Sequence, residues 1–126
     1  MDIPKFDSSS RLMLFAPHPD DETLACSVIL QQAVRVGAAI CIVYVTDGDD
    51  NPWPQRALER RWSLSPSDRK RWGKLRRAEA LAVLRVLDIC PTDVQFLGLP
   101  DQGLTDLLLR DCDSAVTRIA RVIDDW

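Results

Sequence analysis

The fold of this chain is decided by residues 11–24, which read RLMLFAPHPDDETL. Residues 11–16 form a short and almost continuously apolar run that two prolines end, a pattern typical of a strand buried on both faces of a parallel sheet. From Glu22 to Val36 the larger apolar residues recur every three to four positions, and Gly37 follows as a C-terminal cap. The stretch therefore predicts a strand that turns directly into a helix.

The same unit recurs twice further along the chain. Ser65-Pro66-Ser67-Asp68 predicts a capping box at the start of the second long helix, because Ser65 can cap and Asp68 can bond back. The last helix has an apolar stripe made of Leu108, Cys112, Val116, Ile119 and Ile123. The remaining predicted elements are strands Ala38–Val45 and Asp93–Leu97, a helix from Pro66 to about Leu87, and a helix Thr105–Trp126.

Alternating strands and helices predict one α/β domain over residues 1–126, with a Rossmann-like three-layer sandwich and a mainly parallel sheet. Residues 49–66 are expected to form an extended loop or a lid. The longest apolar run has eight residues (38–45), whereas a membrane-spanning helix needs about 20, so no span is expected. Since the start of the chain lacks the pattern of a secretory signal, we expect a cytoplasmic protein whose four cysteines are free and mostly buried.

Three polar segments follow the predicted strands, at residues 17–22, 46–52 and 98–103. Because the carboxyl ends of parallel strands lie at one edge of the sheet, these segments are expected to converge there, where ligands bind in such folds.

The first of these segments carries the only histidine, His18. His18 and Asp21 are three residues apart across the first turn of a helix, so their side chains can face one point. One imidazole and one carboxylate suit zinc, and Asp20 is a candidate general base for a water molecule at such a site. The alternative is that the acidic residues only place negative charge at a helix N-terminus, which is favourable by itself.

The longer string resembles a known family. Residues 16–24, APHPDDETL, are similar to the opening motif of the PIG-L/LmbE family of zinc-dependent N-deacetylases. Three weaker landmarks of that family follow in order, and together they extend the resemblance from Leu12 to Leu104: Thr46-Asp47-Gly48, Arg76-Arg77-Ala78-Glu79 and Leu97-Gly98-Leu99-Pro100-Asp101-Gln102-Gly103-Leu104.

The resemblance implies a metal-dependent hydrolase that removes the N-acetyl group from an N-acetylglucosamine unit of a larger, small-molecule glycoconjugate. His18 and Asp21 would then be ligands of Zn²⁺ or another divalent metal ion, and Asp20 would be the catalytic base that activates water.

The resemblance also implies roles for residues on the other loops. Arg76 and Asp101 would bind sugar hydroxyls, whereas without the resemblance they read as a helix-surface arginine and an acidic turn residue. Asp47 would either support the metal ligands from behind or only satisfy backbone groups of its turn, and the turn role is favoured.

The chain departs from the family's pattern in two respects. The family takes a third zinc ligand and a further histidine from a later segment, but this chain has one histidine and no predicted fourth strand. Three explanations are open: a fragment of a longer deacetylase, a partner chain or second copy that supplies the missing parts, or a relative without catalysis. In the doubly wound order 3-2-1 the first strand becomes an exposed edge, which favours a homo-oligomer or a partner strand there.

A basic stretch with tryptophans supports a rival hypothesis. Residues 56–77 hold nine Lys or Arg against two acids, and Trp53, Trp62 and Trp72 lie in or beside it. Residues 53–77 are therefore an alternative nucleic-acid or anionic-ligand binding module, although the formal net charge of −3 disfavours nucleic acid for the chain as a whole. The plainer interpretation is a loop whose tryptophans pack down while its arginines stay solvated.

Overall fold

The computed structural model describes residues 4–126, apart from the side chain of residue 112. Strands and helices alternate as the sequence predicts, and most bounds agree within one or two residues. The elements are β1 (Arg11–Ala16), α1 (Asp21–Arg35), β2 (Ala39–Thr46), α2 (Pro52–Glu59), α3 (Pro66–Val86), a 3₁₀ turn (Pro91–Asp93), β3 (Val94–Leu99) and α4 (Leu104–Asp125).

The described strands form one parallel sheet in the order β1-β2-β3. In β1, Arg11 pairs with Ala39 and Ala16 with Tyr44, and β3 enters the register at Val94, opposite Ile42. The central strand β2 is the most deeply buried, since residues 41–44 are each at most 2% exposed. The predicted α/β architecture with a parallel sheet is confirmed.

Two hydrophobic clusters lie on opposite faces of this sheet. One joins α1 and α3 to the sheet through Leu30, Leu84 and Ile42. The other joins α4 to the opposite face through Ala115, Val122 and Val43. Because β2 alternates its side chains between the two clusters, the domain has three layers, helix on sheet on helix.

Strand β1 lies at an edge of the described sheet, as the doubly wound order predicts. Its residues 12–15 are only half-buried, and Leu24 and Val28 on the adjacent α1 are exposed. An apolar edge strand with apolar neighbours is a surface on which further chain can pair.

The apolar stripe predicted for the last helix is expected to face the sheet, and this expectation is wrong for three of its residues, which are exposed: Leu108, Val116 and Ile123. The buried positions are instead Ala115 and Val122, with Ile119 beside them. Asp111 has non-helical backbone angles (φ −150°, ψ 59°), so the two halves of α4 are out of phase and one helical period cannot describe both. The prediction for Cys112 lies outside the described residues.

Residues 49–66, for which an extended loop or lid is predicted, contain the eight-residue helix α2. Asn51 caps it by accepting a hydrogen bond from the N–H of Trp53 at 3.3 Å, and Pro52 takes the first helical position. These local signals account for a helix where the amino-acid pattern is too short to show one.

No helix in the described range 4–126 is long and apolar enough to cross a membrane. The cysteines with described side chains are free, but only Cys41 is buried, and Cys90 is exposed, so the expectation of mostly buried cysteines is wrong at that position.

The predicted capping box of α3 is present. The Ser65 hydroxyl accepts from the N–H of Asp68 at 3.2 Å, and the Asp68 carboxylate accepts from the N–H of Ser65 at 2.9 Å. The Ser65 hydroxyl also donates to Asp68 Oδ2 at 2.6 Å. This hydrogen bond, followed by those from the Ser65 N–H and from Arg71, holds the pKa of Asp68 well below its ordinary value.

Because the pKa of Asp68 is lower in the folded than in the unfolded chain, its contribution to stability is complete above about pH 4 and lost as the pH falls further. We expect Asp68→Asn to lower Tm at neutral pH and to flatten the fall of Tm on acidification. The measurement is thermal unfolding by circular dichroism over a pH series. Asp113→Asn, at an exposed position of α4, is the control. The same flattening in both variants would contradict the capping assignment.

Candidate active site

The loops after the three strands are tied to one another at the carboxyl edge of the sheet. The Thr46 backbone N–H and hydroxyl both donate to the carbonyl of Pro17 at 3.0 Å, which joins the first loop to the second. The N–H of Asp50 donates to Asp101 Oδ2 at 2.9 Å, which joins the second loop to the third. The three segments converge as predicted, and most of the predicted site residues lie on them.

His18 is held between two carboxylates. Its Nδ1 lies 3.3 Å from Asp21 Oδ2 and its Nε2 lies 3.0 Å from Asp101 Oδ1. Asp21 is fixed in turn, because its Oδ2 also accepts the backbone N–H of His18 at 2.9 Å. The predicted pairing of His18 with Asp21 across the first turn of α1 is therefore present, and both side chains remain partly open to solvent.

Asp101 is the buried member of this group, with a side chain only 4% exposed. One of its oxygens meets His18 and the other accepts the N–H of Asp50. The family resemblance implies a sugar contact for Asp101, and the structure places its carboxylate against the imidazole of His18. A carboxylate on one ring nitrogen sets the tautomer and orientation of a histidine, so Asp101 determines which nitrogen of His18 faces Asp21.

Asp20 has an unusual backbone conformation, with φ 113° and ψ −27° immediately before α1. Its carbonyl accepts from the N–H groups of Thr23 and Leu24 at 3.1 and 2.9 Å, and its own N–H donates to Glu22 Oε2 at 3.0 Å. Positive φ is costly for a residue with a Cβ, so these bonds hold the Asp20 side chain in a conformation that the isolated chain would avoid. The side chain itself is exposed.

Glu22 is a supporting residue that the sequence analysis missed. From the sequence it is interpreted only as negative charge at a helix N-terminus. In the structure Glu22 is 1% exposed, and its two carboxylate oxygens accept hydrogen bonds, one from the Asp20 N–H and one from the Thr23 hydroxyl at 2.7 Å. Burial, and then the negative charge of Glu22, raise the pKa of the neighbouring Tyr44 far above its usual value. No local pattern separates a buried glutamate from an exposed one at this position.

Arg76 reaches from α3 to the first two loops. It donates from Nη1 to the carbonyl of Gly48 at 2.9 Å and from Nη2 to the carbonyl of Pro19 at 2.6 Å and to Asp20 Oδ2 at 2.9 Å. The structure therefore places this predicted sugar-binding residue beside the predicted base. The three bonds leave two of the five guanidinium N–H donors for other partners.

Arg77 makes the equivalent connection to Asp47. Its Nε and Nη2 each donate at 2.7 Å to one oxygen of Asp47, and its guanidinium lies over the Phe96 ring at 4.8 Å. Asp47, predicted either to support the metal ligands or to serve its turn, is thus held by a bidentate ion pair with α3. No residue pattern distinguishes Arg77 for this role from the adjacent Arg76.

The donor atoms of His18 and Asp21 suit one divalent cation. Two ligand atoms on a tetrahedral zinc ion lie roughly 3.3–3.6 Å apart, given bond lengths of about 2.0–2.2 Å. The observed separation of 3.3 Å between His18 Nδ1 and Asp21 Oδ2 falls in this range. Within residues 4–126, however, no group of three or more His, Cys, Asp or Glu side chains is arranged to hold a metal ion. The pair therefore fits as two ligands of a site that needs a further donor.

Most of the cationic side chains in the basic stretch, residues 56–77, form ion pairs within the chain. Five of its nine cationic side chains pair with carboxylates: Arg61, Arg69, Arg71, Arg76 and Arg77. Of the tryptophans in and beside this stretch, Trp72 is buried, whereas Trp53 and Trp62 are exposed. The expectation that all three pack against the protein is therefore wrong. The region lacks the continuous free positive charge that tracking a nucleic-acid backbone requires.

A comparison with family models gives a match over most of the chain. Residues 13–126 match the family model for PIG-L, described as GlcNAc-PI de-N-acetylase. No curated protein matched the chain in a search of sequences.

The contact between Arg76 and Gly48 yields a matched pair of substitutions. Gly48 and Gly37 both have positive φ, at +60° and +71°, but a Cβ at Gly48 would overlap the Arg76 guanidinium, whereas a Cβ at Gly37 would meet nothing within 4 Å. We expect Gly37→Ala to cost about 1–2 kcal/mol from backbone strain alone, and Gly48→Ala to cost at least about 1 kcal/mol more. Urea unfolding measures both. Equal losses would contradict a structural role for the close approach.

Proposed function

Since the chain belongs to the PIG-L family, we propose that it is a divalent-metal-dependent de-N-acetylase acting on an N-acetylglucosamine-type conjugate. The observation that carries the proposal is the His18–Asp21 pair, whose donor atoms are 3.3 Å apart, together with the exposed carboxylate of Asp20, which directly precedes Asp21 in the chain. Amide hydrolysis needs an activated water, a polarised carbonyl and a proton for the leaving nitrogen, and these side chains suit that division of labour.

In this proposal His18 and Asp21 hold the cation. When bound, a divalent ion such as Zn²⁺ supplies Lewis acidity that polarises the acetamide carbonyl. Asp101 keeps the imidazole oriented by its contact at Nε2, so that Nδ1 is the nitrogen on the side of Asp21. The additional donor that a three-ligand site requires comes from outside this pair.

Asp20 is the proposed base. It removes a proton from the attacking water and can return it to the nitrogen as the C–N bond breaks, which yields acetate and a free amine. Its carboxylate is positioned for this by Arg76, which is anchored on two backbone carbonyls, and by Glu22, which fixes its N–H. A base held by such contacts reaches the reacting water without a search through side-chain conformers.

The sugar contacts are proposed for Arg76 and Asp101. Arg76 has two N–H donors left for hydroxyl groups after its three bonds to the loops. Asp101 already meets His18, so a hydroxyl that binds it shares the carboxylate with the imidazole. Binding of the sugar would therefore be coupled to the orientation of His18.

Metal binding tests the ligand assignment. We expect His18→Ala and Asp21→Ala each to weaken Zn²⁺ binding at least about tenfold, because each removes one of the two paired donor atoms. Isothermal titration with the purified, metal-free chain measures this. Asp113→Asn, which removes an exposed carboxylate far along α4, is the control and is expected to bind like the parent chain. Unchanged affinity in His18→Ala would refute the site.

Turnover tests the base separately. We expect Asp20→Asn to bind Zn²⁺ like the parent chain but to release acetate from N-acetylglucosamine conjugates roughly 10²–10⁴-fold more slowly, because an amide cannot accept the proton. Release of free amine, followed before and after chelation and metal restoration, is the measurement. Full activity in Asp20→Asn would exclude Asp20 as the base, whereas activity insensitive to chelation would exclude the metal.

A further inference from the structure

Helix α2 presents its apolar side chains to solvent. Trp53 and Leu58 are 65% and 70% exposed, and Pro54 and Ala57 on the same side are exposed as well. The residue that α2 buries is polar: Gln55 donates to the carbonyl of Asp68 at 2.9 Å and to Glu59 Oε1 at 3.1 Å. A surface helix of a globular protein normally shows the opposite arrangement, with apolar residues inward. The inverted helix indicates a surface that is covered by something else.

Cationic and aromatic side chains continue this surface past the end of α2. Trp62 is 83% exposed, and a cavity of about 350 Å³ lies between it and Trp53. Arg56 and Arg60 line the cavity, and Arg56 lies 5.2 Å from the centre of the Trp53 ring. Within residues 4–126, neither of these two arginines pairs with a carboxylate, unlike the neighbouring Arg61, which pairs with Asp68 at 2.9 Å.

We propose that this α2 surface, made of Trp53, Leu58 and Trp62 with Arg56 and Arg60, docks on an anionic lipid membrane. Tryptophan and arginine side by side are suited to the interface of a bilayer, where the indole lies at the level of the headgroups and the guanidinium meets phosphate. The outward apolar face would enter the boundary between headgroups and acyl chains, and the free arginines would supply the attraction to negative charge.

Size and charge favour a lipid surface over other occupants. An eight-residue helix is about 12 Å long, and its few apolar side chains are far fewer than the roughly 20–30 residues per side of a stable protein interface. A nucleic acid would need a longer run of free cations, but the basic residues that follow on α3 are mostly engaged in ion pairs. Peripheral attachment to a membrane needs only a few apolar anchors with nearby positive charge.

Sedimentation with vesicles tests the proposal. We expect the full chain to bind vesicles of phosphatidylcholine with phosphatidylserine and to bind pure phosphatidylcholine at least about tenfold more weakly, with a loss of binding at high salt. Arg56→Gln/Arg60→Gln is expected to weaken binding roughly fivefold for each arginine removed. Trp53→Ala/Trp62→Ala is expected to lose at least about tenfold, with the remaining binding fully salt-sensitive.

Two control variants test whether binding depends on this surface or only on the total positive charge and the exposed apolar residues of the protein. Arg35→Gln/Arg85→Gln removes the same charge from exposed positions in the last turns of α1 and α3, and Leu109→Ala removes an exposed leucine from α4. Both controls should bind as the parent chain does, and circular dichroism checks that every variant is folded. Equal binding to both kinds of vesicle, or unchanged binding in the tryptophan variant, would overturn the proposal. The proposal would also be overturned if the parent chain bound oligo-dT but no vesicles, and if the arginine or tryptophan variants lost that oligo-dT binding.

Discussion

The approach of Arg76 to Gly48 is the constraint on which the geometry of the candidate site depends. A guanidinium that donates to the carbonyls of both Pro19 and Gly48 ties the loop after β1 to the loop after β2. It fits there only because residue 48 has no Cβ and adopts positive φ. The position of Asp20 follows from this contact, since the same Nη2 also donates to its carboxylate.

Adjacent arginines on one helix thus hold together the loops after β1 and β2 and the strand β3. Arg77 holds Asp47 of the second loop while stacking on Phe96 of β3, beside Gly98, whose φ is also positive. These cations neutralise Asp20 and Asp47 from the side of α3. The carboxylates around His18 are different, because Asp21 and Asp101 face an imidazole instead of a fixed positive charge. A cation is therefore electrostatically favoured beside His18.

The second loop connects this site to the surface of α2. Asp50 donates its N–H to Asp101, Asn51 caps α2, and the exposed Trp53 follows directly. The helix is attached to α3 by polar contacts, among them the ion pair of Arg71 with Glu59 and the hydrogen bond from Gln55 to the carbonyl of Asp68, which leave its apolar side free. A surface that is anchored through polar groups and open on its apolar side can bind a partner without exposing the core.

The sequence by itself determined the order of the three strands and the three long helices, the capping of α3, the convergence of the three loops and the pairing of His18 with Asp21. These features depend on local periodicity, on turn residues and on the geometry of parallel strands, all of which are short-range or general. Only the tertiary structure decided that Glu22 is buried, that Arg76 and Arg77 bind the loops, that Asp101 meets His18, and that α2 turns its apolar face outward. The partners in these contacts are distant in the chain, as with the 83 positions between His18 and Asp101, and the phase of α4 changes at a single non-helical residue. No pattern along the chain encodes which of two distant side chains will meet, because that is settled by packing between layers.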